Sequence, residues 1–177
     1  MSNPWLIPNS PWKDEKAYLT WLRGSVRRIW STHPVKVSYK QSRRYKAPVG
    51  RNGKEVWVSD CEMCGKACRD NQCDHVKGGF GFTDWESFCE WAKMILWVTF
   101  DDIRELCPDC HGTVTLSQRL GISFDEAAIE KQAIAICKQK ADVVKSWIRE
   151  RGEIPCATAA QRRLQVVEIL KREKEDN

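Results

Sequence analysis

Two Cys-x-x-Cys pairs stand far apart in the chain, one at Cys61 and Cys64 and the other at Cys107 and Cys110. Thiolates at this spacing are typical ligands of a tetrahedral zinc ion, to which each pair contributes two. Because four thiolates leave no position for substrate, such a site is structural rather than catalytic. The two pairs therefore predict a structural Zn²⁺ ion.

The other cysteines leave a second arrangement of this zinc site open. The chain has nine cysteines, and no secretory signal is expected at its start, so we expect metal binding rather than a disulfide framework. The first pair could form a local site with Cys68 and Cys73. We favour the site made by both pairs, because it joins two distant segments of a small module.

Two of the three histidines adjoin these pairs and could carry out hydrolysis. His75 follows Asp74, and His111 directly follows Cys110. Phosphodiester hydrolysis needs a base that takes a proton from water and a cation that stabilises the added negative charge. An imidazole that titrates near neutral pH suits the base. A carboxylate and an imidazole can together hold a divalent ion and leave positions for water and phosphate oxygens.

The order of these motifs resembles that of the HNH endonucleases, in the subgroup whose ββα-metal (His-Me finger) fold is held by four cysteines and zinc. The motifs are Cys-x-x-Cys, then Asp-His-Val, then Leu-Cys-x-x-Cys-His. Lys77-Gly78-Gly79 also matches the glycine-bearing loop that tends to follow the Asp-His motif in that family. The resemblance covers residues 57–120, and it suggests a phage or mobile-element origin.

The resemblance implies a role for each of the site residues. His75 would be the general base, while Asp74 and His111 would hold a catalytic Mg²⁺, Mn²⁺ or other divalent ion. On an extended strand the side chains of Asp74 and His75 point to opposite sides, so the family's loop geometry would have to let both act on one substrate. The four cysteines would hold the structural zinc ion.

One position departs from the family pattern. Asp102 stands where the family usually has the middle asparagine, five residues before Cys107. A carboxylate there could accept a hydrogen bond from His75 or bind the ion, but it cannot donate a hydrogen bond. We include Asp102 among the candidate catalytic residues, with a plain helix N-cap as the alternative.

The charge distribution predicts nucleic-acid binding. Residues 20–54 contain ten Lys or Arg and no Asp or Glu, within a net charge of +5. Such a block suits contact with phosphates, although composition alone also fits a solvated surface. The candidate DNA-binding residues are Arg23, Arg27, Lys40, Arg43, Arg44, Lys46, Arg51, Lys54 and Lys77.

Several elements must position these groups. Leu19, Leu22, Val26 and Ile29 recur at helical spacing, which predicts a helix over residues 11–30 with Ser10 as its cap. The Asn-Gly pair at 52–53 predicts a short hairpin. A Thr-x-x-Glu capping box at 83–86 predicts a helix to about residue 97, inserted in the nuclease module.

The C-terminal third is predicted to form two helices. A capping box at 123–126 begins the first, residues 158–161 begin the second, and Gly152 and Pro155 separate them. We expect packing, dimerisation or contact with another protein from this helical hairpin. The predicted segments are an N-terminal helix and basic arm (1–54), the nuclease module (55–121) and the hairpin (122–177).

The sequence therefore predicts an α+β protein that is a metal-dependent DNA endonuclease, located in the cytoplasm. The longest apolar run is too short to cross a membrane. The main alternative is an HNH scaffold that has lost catalysis and acts as a DNA- or protein-binding factor, such as a phage inhibitor of its host. A third possibility is an RNA-binding zinc protein.

Overall fold

The computed structural model of the chain describes residues 3–78 and 81–176, so Gly79 of the glycine-bearing loop lies outside them. The architecture combines helices with two small antiparallel sheets, which confirms the α+β class. The chain forms two compact units, Met1–His111 and Gly112–Asn177. Within the described residues, no helix is long and apolar enough to cross a membrane.

The first unit begins with two helices, α1 (Glu15–Ser31) and α2 (Pro34–Ser42). The cap of α1 is Asp14, whose Oδ1 accepts a hydrogen bond from the Ala17 amide at 2.7 Å. The prediction of Ser10 as the cap is therefore wrong. The helix α2 was not predicted, since its basic and polar residues show no clear apolar stripe, but Pro34 suits its first position.

A three-stranded sheet follows, with strand order β1 (Tyr45–Ala47), β2 (Val56–Asp60) and β3 (Ala67–Cys68). The predicted hairpin between β1 and β2 is confirmed. Asn52 and Gly53 both have positive φ, 59° and 73°, in the turn that joins the strands. Residues of these types tolerate that backbone conformation best, which explains the strength of the signal.

A second sheet pairs β4 (Gln72–His75) antiparallel with β5 (Ile103–Leu106), and α4 (Pro108–Leu120) follows directly. Asp74 lies opposite Arg104 in the register of these strands. The sheet therefore brings the Asp-His motif alongside the residues that precede the second cysteine pair.

The predicted helix between these two strands is α3 (Trp85–Leu96), but its capping box differs from the prediction. Asp84 is the N-cap and Ser87 occupies the third helical position, so the box does not use Thr83 and Glu86. Asp84 Oδ1 accepts a hydrogen bond from the Ser87 amide at 2.8 Å. A core of buried apolar side chains lies on α1 and α3 and between them in sequence: Leu19, Val26, Phe82, Phe88 and Trp91.

The second unit contains three helices after α4 rather than the predicted hairpin of two. They are α5 (Phe124–Cys137), α6 (Ala141–Arg149) and α7 (Ala159–Glu175). The first predicted helix is split near residues 138–140, where no glycine or proline marks a break. The capping box at Ser123 is confirmed, and so is the start of the last helix, where Thr158 is the N-cap. The helices close on a core of Ile129, Ala133, Val144, Ile148, Val166, Val167 and Ile169.

Candidate functional site

The two cysteine pairs come together in one cluster. The Sγ atoms of Cys61, Cys64, Cys107 and Cys110 all lie within 4.8 Å of one another. The first pair lies in the turn after β2, where Gly65 has φ +69° and its amide donates to the Cys61 carbonyl at 2.8 Å. The second pair spans the end of β5 and the first turn of α4.

The dimensions of the cluster fit a tetrahedral zinc ion. Two sulfurs that each lie about 2.3 Å from one zinc ion are about 3.8 Å apart in tetrahedral geometry. The Sγ atoms of Cys64 and Cys107 are 3.9 Å apart. These four cysteines could therefore hold a structural metal ion, as the sequence predicted.

The thiols of the cluster influence one another's ionisation. Although burial opposes ionisation of Cys61, backbone N–H donors from Cys107, Cys64 and Met63 lower its pKa to about 6. Burial, together with hydrogen bonds from the neighbouring thiols, raises the pKa of Cys110. A bound cation would relieve the repulsion between adjacent thiolates. In sites of this kind the cysteines are usually deprotonated and bound to an ion.

Cys68 and Cys73 lie outside this cluster, so the local arrangement left open by the sequence is not the one that forms. Cys68 is on β3 and Cys73 on β4. Burial raises the pKa of Cys73 to about 11, so this thiol is protonated at neutral pH. Its partner across the sheet is Glu105.

Asp74 and His111 come together beside the second cysteine pair. The Oδ1 atom of Asp74 is 3.7 Å from Nε2 of His111. The Oδ2 atom of Asp74 accepts two hydrogen bonds from Arg104, from Nε at 3.1 Å and from Nη2 at 3.0 Å. His111 is held in place because its amide donates to the Cys107 carbonyl at 2.9 Å in the first turn of α4.

His75 is buried, with only 9% of its surface exposed. Its ring packs against Trp30 with 4.4 Å between the ring centroids, and its Nε2 lies 3.2 Å from the Ile95 carbonyl oxygen. A carbonyl oxygen can only accept, so Nε2 carries the proton and Nδ1 is left as an acceptor in the neutral ring. Burial lowers the pKa of His75, which favours that neutral ring at pH 7.

Asp102 is the last residue of a short 3-10 turn, and its side chain bonds back to Thr99, the residue that precedes the turn. Its Oδ2 atom accepts hydrogen bonds from the amide and from the hydroxyl of Thr99, both at 2.8 Å. These donors lower the pKa of Asp102 and keep its carboxylate charged. Its backbone carbonyl accepts from the Val76 amide at 2.9 Å. The predicted alternative, in which Asp102 is itself an N-cap, is not what forms. The N-cap of this turn is Thr99, and Asp102 completes its capping box.

The predicted catalytic residues therefore fall into two groups. Asp74 and His111 form one group with Arg104. His75 and Asp102 line a cavity of about 150 Å³, and Lys77 and Trp97 line it as well. The two groups are joined by the Asp74–His75 peptide bond at the end of β4, but these consecutive side chains leave opposite faces of the extended strand.

The predicted DNA-binding residues differ in how far their charges are already paired. Lys40 donates to the Asn71 carbonyl at 2.8 Å and lies 3.8 Å from Glu105. Arg23 lies over the ring of Phe82, 4.2 Å from its centroid. Arg27 and Lys77 are exposed. Arg43 is exposed but lies 3.7 Å from Glu62, and Lys46 lies over the Trp57 ring, 5.7 Å from its centroid. Arg44, Arg51 and Lys54 are exposed as well.

Three of these exposed residues share one groove. Arg44, Arg51 and Lys54 line a cavity of about 470 Å³ beside β2, together with Arg69 and the exposed ring of Trp57. Glu55 is the acidic residue in this lining. Such a groove presents several cations and one flat ring to a ligand, which suits a phosphate backbone with some stacking.

Sequence reasoning missed Arg69 and the contribution of Arg104 to the candidate site. Arg69 lies outside the block of like charges, next to Asp70. Arg104 was not among the predicted site residues, because its pairing with Asp74 depends on the register of β4 and β5. A strand prediction for residues 103–106 in that register would have found it.

Comparisons with protein-family models, with curated proteins and with solved structures found no match to this chain. The interpretation therefore depends on the geometry of the residues described above.

Proposed function

We propose that this protein is a metal-dependent DNA endonuclease of the HNH type, which hydrolyses phosphodiester bonds. The observation that carries the proposal is the 3.7 Å separation of Asp74 Oδ1 and His111 Nε2. These residues are far apart in sequence, and they meet beside a four-cysteine cluster. A carboxylate and an imidazole in this position are a typical pair of ligands for a divalent ion.

The order of elements around the pair supports this proposal. Two antiparallel strands, β4 and β5, are followed by α4, and the motifs occur at the strand end and the helix start. This is the order expected of a ββα-metal module. The cysteine cluster lies where zinc would hold the strands and the helix together.

The distance between the Asp74 and His111 side chains also fits a catalytic ion. Two atoms that each lie about 2.1 Å from one ion can be at most about 4.2 Å apart, and these are 3.7 Å apart. A divalent ion there, Mg²⁺, Mn²⁺ or a later metal, would supply positive charge to stabilise the added negative charge and the leaving oxygen.

His75 is the proposed general base. Its Nδ1 is the acceptor when Nε2 donates to the Ile95 carbonyl, and the adjoining cavity is large enough for several water molecules. Trp30 and Ile95 fix the orientation of the ring, which a base must keep in order to act on one bound water. Lys77 would attract a phosphate to this cavity.

The substrate is proposed to be DNA, bound mainly through its phosphates. The exposed cations on α1, after α2 and along the groove beside β2 would give salt-sensitive binding without sequence preference. Their number favours a long, polyanionic substrate over a small phosphodiester.

Conversion of supercoiled plasmid to nicked or linear DNA tests the proposal. Wild-type protein loaded with zinc is incubated with Mg²⁺ or Mn²⁺, beside His75→Ala and the control Lys145→Ala, a change at a partly exposed residue of the second unit. We expect cleavage by the wild type and the control, and a loss of about 10²–10⁴-fold in rate for His75→Ala. Absence of cleavage by folded, zinc-loaded wild type would refute it.

A second candidate function is a binding factor that no longer cleaves DNA. The observation that favours it is the pairing of both Asp74 and Asp102 with other groups, Arg104 and Thr99 respectively. Such a protein would keep the zinc ion and DNA affinity but would bind no exchangeable ion at Asp74. Tight DNA binding without cleavage in the plasmid assay would support this candidate.

A further inference from the structure

We infer that Arg104 contacts the phosphate of the substrate and is a further catalytic residue. The inference rests on the proposed function, since it names the group that binds the scissile phosphate beside Asp74 and His111. Its starting point is the pair of hydrogen bonds that Arg104 donates to Asp74 Oδ2, at 3.1 and 3.0 Å.

The register of the sheet fixes the position of Arg104. Arg104 on β5 and Asp74 on β4 are directly opposite each other, so their side chains leave the same face. The next residues along the two strands, Glu105 and Cys73, are likewise partners and project from the other face. The guanidinium is thereby placed at the metal-binding pair, whereas Glu105 is fully buried.

The two carboxylate oxygens of Asp74 contact different residues. Oδ2 accepts both hydrogen bonds from Arg104, while Oδ1 faces Nε2 of His111. A ligand of Oδ1 and His111 would therefore leave the Arg104 pairing intact. Arg104, Asp74 and His111 form one contact cluster, so a phosphate that approaches Asp74 and His111 also approaches the guanidinium.

The chemistry of arginine suits this position. Phosphodiester hydrolysis adds negative charge to the phosphate oxygens in the transition state, and a preorganised cation stabilises that charge. The guanidinium is planar and always charged. Its Nε and one N–H of Nη2 donate to Asp74, and Nη1 lies 4.0 Å from the Met63 sulfur, so a phosphate would be bound by the remaining N–H groups of Nη1 and Nη2. About a fifth of the Arg104 side chain is exposed, 21%, so a ligand can reach it.

A purely structural role for Arg104 makes different predictions. If Arg104 only holds Asp74 in place, removing it would weaken binding of the divalent ion and would not change the contacts with DNA. If it contacts phosphate, removing it would reduce the number of phosphate contacts. Metal affinity and the salt dependence of DNA binding therefore separate the two roles.

The experiment compares wild type with Arg104→Ala, Arg104→Lys and the control Arg163→Ala, which breaks an ion pair of 2.8 Å with Glu130 in the second unit. Affinity for a short DNA duplex is measured against salt concentration without added divalent ion, so that no cleavage occurs. Mn²⁺ affinity is measured by calorimetry and cleavage by the plasmid assay. Circular dichroism and zinc content verify folding of each variant.

For Arg104→Ala we expect the slope of log K against log salt to become shallower by about 0.9, the value for one lost phosphate contact. Cleavage should fall by about 10²–10³-fold, and Mn²⁺ affinity should not fall. Arg104→Lys should keep the slope, because it keeps the charge, but recover only part of the cleavage rate. The control should match wild type throughout.

An unchanged salt slope in a folded Arg104→Ala variant would overturn the inference, whatever happens to cleavage. Cleavage by wild type with an unchanged slope would leave the proposed function standing and refute only the role of Arg104. A shallower slope without any cleavage by wild type would keep the phosphate contact and refute hydrolysis.

Discussion

The two compact units of this protein differ in what holds them together. The second unit closes three helices on a core of seven buried residues, all of them apolar. The first unit has an apolar core as well, on α1 and α3, but its candidate site adds four clustered cysteines and several buried polar groups. The position of the site residues should therefore depend on a bound ion, whereas the second unit should fold without one.

Polar contacts of Glu62 and Lys40 connect separate elements of the first unit. Glu62 Oε1 accepts hydrogen bonds from the Tyr39 hydroxyl at 2.5 Å and from the Glu105 amide at 2.7 Å. Burial and the Glu62 carboxylate raise the pKa of Tyr39, so that it remains a donor at neutral pH. The Glu105 side chain is fully buried without a hydrogen-bond partner for its carboxylate oxygens among the described residues, and its ion-pair contact is Lys40 at 3.8 Å. These contacts connect α2 to the strand that precedes the second cysteine pair.

Removal of zinc should have the largest effect on folding, and it should affect the first unit but not the second. Chelation, or Cys107→Ser, would remove a contribution to folding of about 10–16 kcal/mol, the range for structural zinc in small domains. Hydrogen exchange should show loss of protection in β4, β5 and the turn after β2, while α5, α6 and α7 keep theirs. Equal loss of protection in both units would contradict the comparison.

Ile148→Ala is the matching change in the second unit. Ile148 is fully buried, and truncation of such a side chain costs about 2–5 kcal/mol. Denaturant unfolding monitored by helical circular dichroism measures the loss. Zinc content should be unchanged, and a variant that also lost its zinc would show that the units are not independent. The exposed Val143, on the same helix, is a control position for truncation.

Glu62→Ala should have a smaller effect, because Glu62 is only partly buried. Its loss leaves the Tyr39 hydroxyl and the Glu105 amide without their acceptor, which costs about 1–3 kcal/mol. The same unfolding measurement, with Asp142→Ala as a control for loss of a surface carboxylate, checks this value. A cost no larger than that of the control would mean that the polar contacts do not stabilise the first unit.

Thr158→Ala should have the smallest effect of the four. Thr158 caps α7, and its Oγ1 accepts a hydrogen bond from the Gln161 amide at 3.2 Å. Loss of such a cap costs about 1 kcal/mol. Thr158→Ser keeps the hydroxyl and should restore most of the stability. Equal stability of all three proteins in denaturant unfolding would show that the cap is dispensable in a unit with this core.

The sequence was most informative where a local pattern determines the structure. The cysteine pairs, the Asn-Gly turn and the helix starts at Ser123 and Thr158 each depend on a few neighbouring residues, and all were found. Asp84 was missed as a cap because Thr83 and Glu86 offered an equally good local pattern.

Features that depend on tertiary contacts were not predictable in the same way. The helix α2 has no regular apolar stripe, and contacts of Tyr39 and Lys40 with distant residues fix its position. The Arg104–Asp74 pair depends on strand register, which a single sequence does not specify when the strands are only four residues long. The same limit applies to the environment of His75, whose contacts come from α1 and α3.

The central claim is that Asp74 and His111 hold a divalent ion separate from the cysteine cluster. Electron paramagnetic resonance of Mn²⁺ with zinc-loaded protein tests it most directly, on wild type, Asp74→Ala and the control Asp142→Ala, an exposed carboxylate of the second unit. The account predicts one bound Mn²⁺ ion per chain in the wild type and the control, and its loss in Asp74→Ala with zinc retained. Wild type that binds no Mn²⁺, or Asp74→Ala that binds it equally well, would contradict the claim.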